Sequence, residues 1–261
     1  MNLSTIFFLL FRWFDYMTFN KVILGCSPFT LGYQFGHRSR IYELDFSNNP
    51  EAIQEVIDKA YEMNVHNISL KLNEDLQKAI NNSEKEGNNW SVFGLSNIDN
   101  LNDSLEVFSG YDTKTVIIDG EDLDNYLDTL DYDSIKNSLD TIRDAGYIPA
   151  VETRRPFKNI PLLTNSSLND YFDTIMIPLN FYGYMMDCNF FDDENRNKFK
   201  QMVEKLNKTV IANRTLATGI LSPKEAYDFL KNIDYIDGVC VGVAKKEEAE
   251  ETFEIINNIK D

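Results

Sequence analysis

Tyr235-Ile-Asp-Gly-Val-Cys-Val-Gly-Val-Ala-Lys-Lys-Glu-Glu-Ala-Glu-Glu-Thr-Phe253 decides how this chain is read. An apolar run over Val239 to Val243 breaks at Gly242 and Ala244, and two lysines and a helical pattern follow at once. A buried parallel strand that passes directly into a helix has this form. The carboxylates Glu247, Glu248, Glu250 and Glu251 fall in the first turns, where they suit the helix dipole. Free N–H groups at the helix start, with Lys245 and Lys246 beside them, also offer a seat for a phosphate. The alternative is simply a well-started last helix.

Outward from this unit the same rhythm repeats. Apolar strands are expected at Lys21 to Cys26, Asn67 to Leu70, Trp90 to Leu95, Thr115 to Asp119, Ile148 to Glu152, Thr174 to Leu179 and Thr209 to Asn213. Helical faces lie between most of them. Pro50 to Met63 carries Ala52, Ile53, Val56, Ile57 and Ala60 on one side, with Asn49 as N-cap and proline at the first helical position. Helices are also expected over Asn73 to Ile80, over Ser134 to Ala145 with Gly146 as its stop, near Leu162 to Leu168 and over Glu194 to Leu206. Ser222-Pro-Lys-Glu opens another. A short polar crossover is expected after the third strand. Eight strands alternating with helices predict a single (β/α)8 TIM barrel. An open doubly wound sheet is the competitor, but no G-x-G-x-x-G follows the first strand.

The chain has 261 residues, 43% of them hydrophobic, which suffices for one large core. Its formal charge of -17 opposes nucleic-acid backbones and anionic membrane surfaces, though not a local basic pocket. Cys26, Cys188 and Cys240 make neither a metal-type pair nor a disulfide framework, so a cytoplasmic location is expected, and Cys26 and Cys240, in apolar strand runs, are expected to be buried, inert thiols. No zinc-ligand spacing and no P-loop occurs. Residues 1–20 form an apolar N-terminal extension ahead of the barrel domain, 21–261. Its stretch Ile6 to Phe14, broken by Arg12, is too short for a membrane span. It reads as an amphipathic segment, a helix under the barrel, or the product of a wrongly chosen start codon before Met17. The last reading is preferred and the covering helix comes second.

In such a barrel chemistry comes from the carboxyl ends of the strands. The loop after the first strand carries Tyr33, His37, Arg38 and Arg40. Ser69 and Lys71 end the second strand, Asp119 the fourth, Glu152 the fifth, Asn180 and Tyr182 the sixth, Asn213 and Arg214 the seventh, and Lys245 follows the eighth. Strand alternation puts Glu152 and Arg154 on one side and Arg155 on the other. This rim is rich in cations although the protein is acidic, which points to a small anionic ligand. Each residue also has a plain structural reading: His37 as a surface or capping group, Glu152 and Arg154 as paired charges, Asp119 as a helix cap, the Tyr182 region as packing or a lid.

Four stretches resemble the aldo/keto reductases. They are Leu24-Gly25 through Gly32, Pro50 to Ile68, Asp173-Thr-Ile-Met-Ile-Pro-Leu-Asn180, and Leu216-Ala-Thr-Gly-Ile-Leu-Ser-Pro-Lys-Glu-Ala226 with Asp237 to Lys246 and Glu250 to Phe253. The resemblance implies a (β/α)8 fold and NADP as cofactor. It implies Lys245 and Glu251 at the 2′-phosphate and adenine, with Thr252 where an asparagine is usual. The family's catalytic set is not matched: Ser69 stands at the aspartate's place, no tyrosine or lysine follows strands two and three, and Asp119 stands where the histidine would be. Glu152-Thr153 replaces the Ser-Asn pair, and Met176 the glutamine, that hold the nicotinamide.

Three readings follow. One is an NAD(P)H-dependent oxidoreductase with a rearranged acid. Its catalytic group would come from Asp119, His37, Tyr33 or Glu152. Lys245, Lys246, Glu251, Arg214 and Asn180 would hold the cofactor, and Arg40, Arg154 and Tyr182 the substrate. The second is a lyase or isomerase acting on an anionic metabolite, with Glu152 or Asp119 as base and Arg154, Arg214 and Lys245 as clamp. The third is a catalytically silent binding or regulatory protein on the same scaffold.

Overall fold

The computed structural model describes residues 19, 21–31 and 35–259, with only the backbone at His37. Eight parallel strands close into a barrel in chain order. They are β1 (Lys21–Leu24), β2 (Asn67–Lys71), β3 (Ser91–Ser96), β4 (Asp112–Ile118), β5 (Ile148–Glu152), β6 (Thr174–Pro178), β7 (Thr209–Asn213) and β8 (Gly238–Val241). Closure joins β1 to β8, with Val22 opposite Val239 and Ile23 opposite Cys240. Each expected strand is present, so the (β/α)8 reading holds. Residues 1–18 and 20 of the proposed N-terminal extension lie outside the described residues, as does Tyr33.

Around the barrel run α1 (His37–Phe46), α2 (Pro50–Glu62), α3 (Glu74–Lys85), α4 (Leu101–Phe108), α5 (Gly120–Asp128), α6 (Tyr132–Asp144), α7 (Pro156–Asn165), α8 (Asp193–Leu206), α9 (Pro223–Leu230) and α10 (Lys246–Ile259). The local signals act as expected where a side chain can satisfy a free amide. Asn49 accepts from Ala52 N with Pro50 behind it, and Ser222 and Glu225 close a capping box. Gly146, at φ 90°, follows α6 in the left-handed conformation.

Four helices depart from expectation. The polar crossover after β3 contains α4, whose Leu101, Ser104 and Phe108 are buried. α5 starts directly at β4, with Asp119 as its N-cap. α7 begins at Pro156, six residues earlier than the apolar pattern suggested, because proline preorganises its first turn. α1 arises inside the long loop after β1 and shows no apolar stripe: Ile41 and Leu44 are exposed.

Two apolar layers result. Ile23, Phe93, Ile117, Ala150, Met176, Ile211 and Cys240 fill the barrel, while the opposite strand faces pack on the helices. The layer between β3 and α4 leaves no slack. A Cβ on Gly94 would lie 2.5 Å from the fully buried Phe108 ring. Gly94→Ala is therefore expected to destabilise the fold by about 1–3 kcal/mol through overpacking. Thermal unfolding checks this, and an unchanged Tm would show that α4 yields.

Candidate active site

A cavity of about 830 Å³ opens at the carboxyl end of the barrel. Its polar wall is built by strand ends. Lys71 closes β2, Asp119 follows β4, Glu152 closes β5, and Asn213 closes β7 with Arg214 directly after it. Parallel strands bring all of these to one rim although they are far apart in sequence.

Asp119 is buried and engaged on three sides. It accepts from Lys71 Nζ at 2.8 Å, from Arg154 Nη2 at 3.2 Å and from Glu121 N at 2.9 Å. Burial pushes its carboxyl up, but the Lys71 ammonium, the Glu121 amide and the Arg154 guanidinium outweigh that and hold it below its usual range. Arg154 also donates to Glu121 Oε2 at 2.7 Å.

Glu152 lies beside this network in the opposite electrostatic situation. It is buried, and it accepts from Asn213 Nδ2 at 2.7 Å and from Gly120 N at 3.3 Å. Burial pushes its carboxyl up and the Asp119 charge adds to this, against the opposing pull of Arg214 and Arg154. The two neighbouring carboxyls are thus driven in opposite directions, Asp119 down and Glu152 up.

Arg214 lines the same cavity in the left-handed conformation, at φ 53°. Such a residue persists only where its surroundings determine it. Among the described residues its guanidinium makes no hydrogen bond or ion pair, so it is a cation held ready in the wall. Asn180, expected at the cofactor, instead braces this turn. It is fully buried, donates to the carbonyls of Arg214 and Tyr184, and accepts from Tyr184 N. Arg38 Nη1 of α1 reaches Thr218 O at 3.0 Å across the mouth, and its guanidinium fills the space a Cβ on Gly219 would need.

Glu152 and Arg154 face the cavity because a buried carboxylate grips the chain behind them. Asp124 of α5 accepts from Thr153 Oγ1 and Asn159 Nδ2, both at 2.6 Å, and from Arg154 N at 3.1 Å. Arg155, in the turn beyond β5, is drawn to Asp124 and Asp128.

The cavity thus gathers Asp119, Glu152, Arg154, Arg214 and Glu251 of the residues expected from sequence. Of the other expected residues, those whose side chains are described lie off its wall. Lys245 is exposed and off the cavity wall. Lys246 pairs outward with Glu55 at 2.9 Å. Arg40 pairs with Glu43 on an exposed face of α1. Tyr182 packs with Phe181 and Phe191 away from the cavity. His37 starts α1, with its side chain outside the described residues. The partners of Asp119 and Glu152, namely Lys71 and Asn213, carried no local signal beyond their place at a strand end.

The β8–α10 junction is filled by the protein itself. Glu248 Oε2 accepts from Ala244 N at 2.9 Å, which occupies an amide that an anion would use. Ser69 is likewise structural: its hydroxyl accepts from Cys26 N at 2.8 Å and stitches β2 to the end of β1. Burial pushes the Cys26 and Cys240 thiols up, so both stay protonated and poorly nucleophilic. Among the described residues no group of three or more His, Cys, Asp or Glu could hold a metal ion, and no helix is long and apolar enough to cross a membrane.

No protein-family description and no curated protein matches the sequence. Solved structures do match the fold. One is an aldo-keto reductase assignment from Pseudomonas aeruginosa, 11% identical, with 92% of this chain and 91% of that one covered at a TM-score of 0.61. Another Pseudomonas aeruginosa structure so assigned is 12% identical, with 90% of each chain covered and a TM-score of 0.58. Aldose reductase from Giardia lamblia is 9% identical over 81% of this chain and 87% of its own, at a TM-score of 0.53. The chain is a (β/α)8 barrel of the kind seen in these aldo-keto reductases. At such identities the likeness is one of fold.

Proposed function

We propose that the barrel mouth binds a small anionic metabolite and moves a proton on it, in a lyase- or isomerase-type reaction. The observation that carries this reading is the buried Glu152 in one cavity with Arg214, whose guanidinium makes no hydrogen bond or ion pair among the described residues. Arg214 anchors the acid group of the ligand. Glu152 takes a proton from the adjacent carbon, and returns it either to a neighbouring position or to a departing group. Lys71 and Arg154, held rigidly by Asp119, face the negative charge that develops. The cysteines are free, in keeping with a cytoplasmic setting.

Calorimetric titration with a panel of small carboxylates and phosphates tests this. Arg214→Gln is expected to weaken the best ligand about 10- to 100-fold, the range for a charge-assisted contact. Equal affinity in both proteins would remove Arg214 as the anchor.

The likeness of the fold to aldo-keto reductases favours a second reading, an NADP-dependent reductase. The residues present fit that cofactor poorly. Glu248 takes the junction amide, Lys246 is drawn to Glu55, and Glu248 and Glu251 line the adjoining wall, where their charge repels a 2′-phosphate. No hydride step follows from these residues. Fluorescence titration with NADPH and NADH separates the readings: tight NADPH binding would favour the reductase, and its absence the proton-transfer enzyme.

A further inference from the structure

Glu152 is asked to hold a proton at one moment and release it at another, and its two partners differ in how they allow this. The Gly120 amide can only donate. It comes within 3.3 Å of Glu152 Oε2 because residue 120 has no side chain; a Cβ there would stand 2.9 Å from Glu152 Cγ. The other partner is an amide with a donor end and an acceptor end. Asn213 Nδ2 donates to Glu152 Oε1 at 2.7 Å, while its Oδ1 is buried and has no partner among the described residues.

That unpartnered oxygen is the informative atom. An asparagine bonded at both ends is locked, since turning it breaks every bond it makes. Asn213 is held by its side chain at one end only, at Glu152. A half-turn of the amide exchanges two groups of nearly equal size and breaks no other hydrogen bond.

We propose that Asn213 is a swivelling positioning residue: Nδ2 donates to the Glu152 carboxylate, and after a half-turn Oδ1 accepts from the Glu152 carboxylic acid. Glu152 then changes protonation without leaving its seat against Gly120. This deepens the proton-transfer reading and rests on it for its catalytic meaning, because a single group that serves as base and then as acid must keep one position through both steps. The swivel itself belongs to the ligand-free protein.

The surroundings set where the change occurs. Asp119 from the end of β4 opposes ionisation of Glu152, Arg154 beyond β5 and Arg214 beyond β7 favour it, and Lys71 of β2 acts through Asp119. The Cys240 thiol of β8 stays neutral. Asn213 can both donate to the Glu152 carboxyl and accept from it, which the Gly120 amide cannot.

The test is a pH titration of the intact protein by NMR, from about pH 4 to 9, the span in which a raised carboxyl titrates. The Asn213 side-chain N–H signals are assigned by their loss in Asn213→Leu, and the Glu152 carboxyl carbon by its loss in Glu152→Gln. The Asn213 N–H protons are expected to move upfield as pH falls, with the same midpoint as the Glu152 carboxyl. The movement should vanish in Glu152→Gln. In Asn213→Ser, whose hydroxyl also donates and accepts, the Glu152 midpoint should stay close to the native one. In Asn213→Leu it should rise by about one unit, as the donor to the carboxylate is gone. Asn213 signals that stay fixed while Glu152 titrates would overturn the swivel, and the native protein alone decides this if a variant fails to fold. A coupled titration in a protein that binds no anion would instead sink the proposed function and leave the swivel standing.

Discussion

Asp119→Ala is expected to lower the stability of the fold by about 3 kcal/mol, the lower end of the cost of breaking a buried ion pair. The lower end applies because Lys71 keeps 36% of its side chain exposed, and solvent softens the loss of its partner. The change strips the anion from between Lys71 and Arg154 and removes the N-cap of α5. Two cations are then left near each other on the rim. Asp119→Asn keeps the cap and the shape, so it should cost less by about 1 kcal/mol, the worth of a cap.

Acid separates the charge effect from the packing effect. The folded-state carboxyl of Asp119 is held below its usual 3.8. The unfolded chain therefore binds the proton first as pH falls, so the contribution of Asp119 is complete above 3.8 and is lost as pH drops through the lower folded value. Urea unfolding of the native protein and of Asp119→Asn should thus converge at the acid end and separate toward neutrality. A constant gap would mean that the ion pairs carry no net stability.

Glu152→Gln should have the largest effect on turnover, a loss of about 100- to 10,000-fold once the reaction is in hand, the usual contribution of a positioned acid or base. Glutamine keeps the shape of the carboxyl and its bonds to Asn213 and Gly120 remain geometrically possible. Its effect on stability has the opposite sign to that at Asp119. The Glu152 carboxyl is raised above its usual 4.5 in the folded protein. The folded state therefore holds the proton longer than the unfolded chain, and the native protein loses stability as pH rises from 4.5 through the raised value. The glutamine variant has no such loss, so it should gain on the native protein over that interval. Tm measured against pH for both proteins checks this, and parallel curves would show that Glu152 is not strained by its burial. Stability gained together with activity lost is the mark of a group kept for its chemistry.

The two carboxyls also show how far the sequence reaches. Asp119 and Glu152 could be placed at the rim because each directly ends an apolar strand, and in a parallel barrel every such end faces the same way. Arg214 follows from the same rule, whereas Arg154 and Arg155 lie beyond the end of β5, and the carboxylates of Asp119, Glu121, Asp124 and Asp128 set their directions. Their assignments to partners do not follow. Lys71 and Asp119 are 48 residues apart, Glu152 and Asn213 are 61 apart, and Arg38 meets the carbonyl of Thr218 across 180 residues. No local pattern encodes a meeting at that separation.

The junction after β8 makes the same point in the other direction. The expected strand is present, but it ends at Val241, and the exposed Gly242 opens a four-residue junction before the helix starts at Lys246. The lysines beside it suggested a phosphate seat, but charge in sequence carries no direction. In the fold Lys246 turns out to Glu55, Lys245 faces solvent, and Glu248 bends back to the Ala244 amide. α1 has no such signature in the sequence: with Ile41 and Leu44 exposed, it lacks the apolar stripe that marks a helix.

From sequence alone, the chain determined its eight apolar strands, their alternation with helices, the caps at Asn49 and Ser222, and the identity of the polar residues at the strand ends. These are governed by interactions among neighbours, through periodicity and capping, and periodicity is written along the chain. Tertiary structure alone decided which of those rim residues face one another. It left Asp119 charged among cations, and put Glu152 where burial and the Asp119 charge raise its proton affinity. Burial and charge–charge distance set those properties, and both depend on strands that only barrel closure brings together.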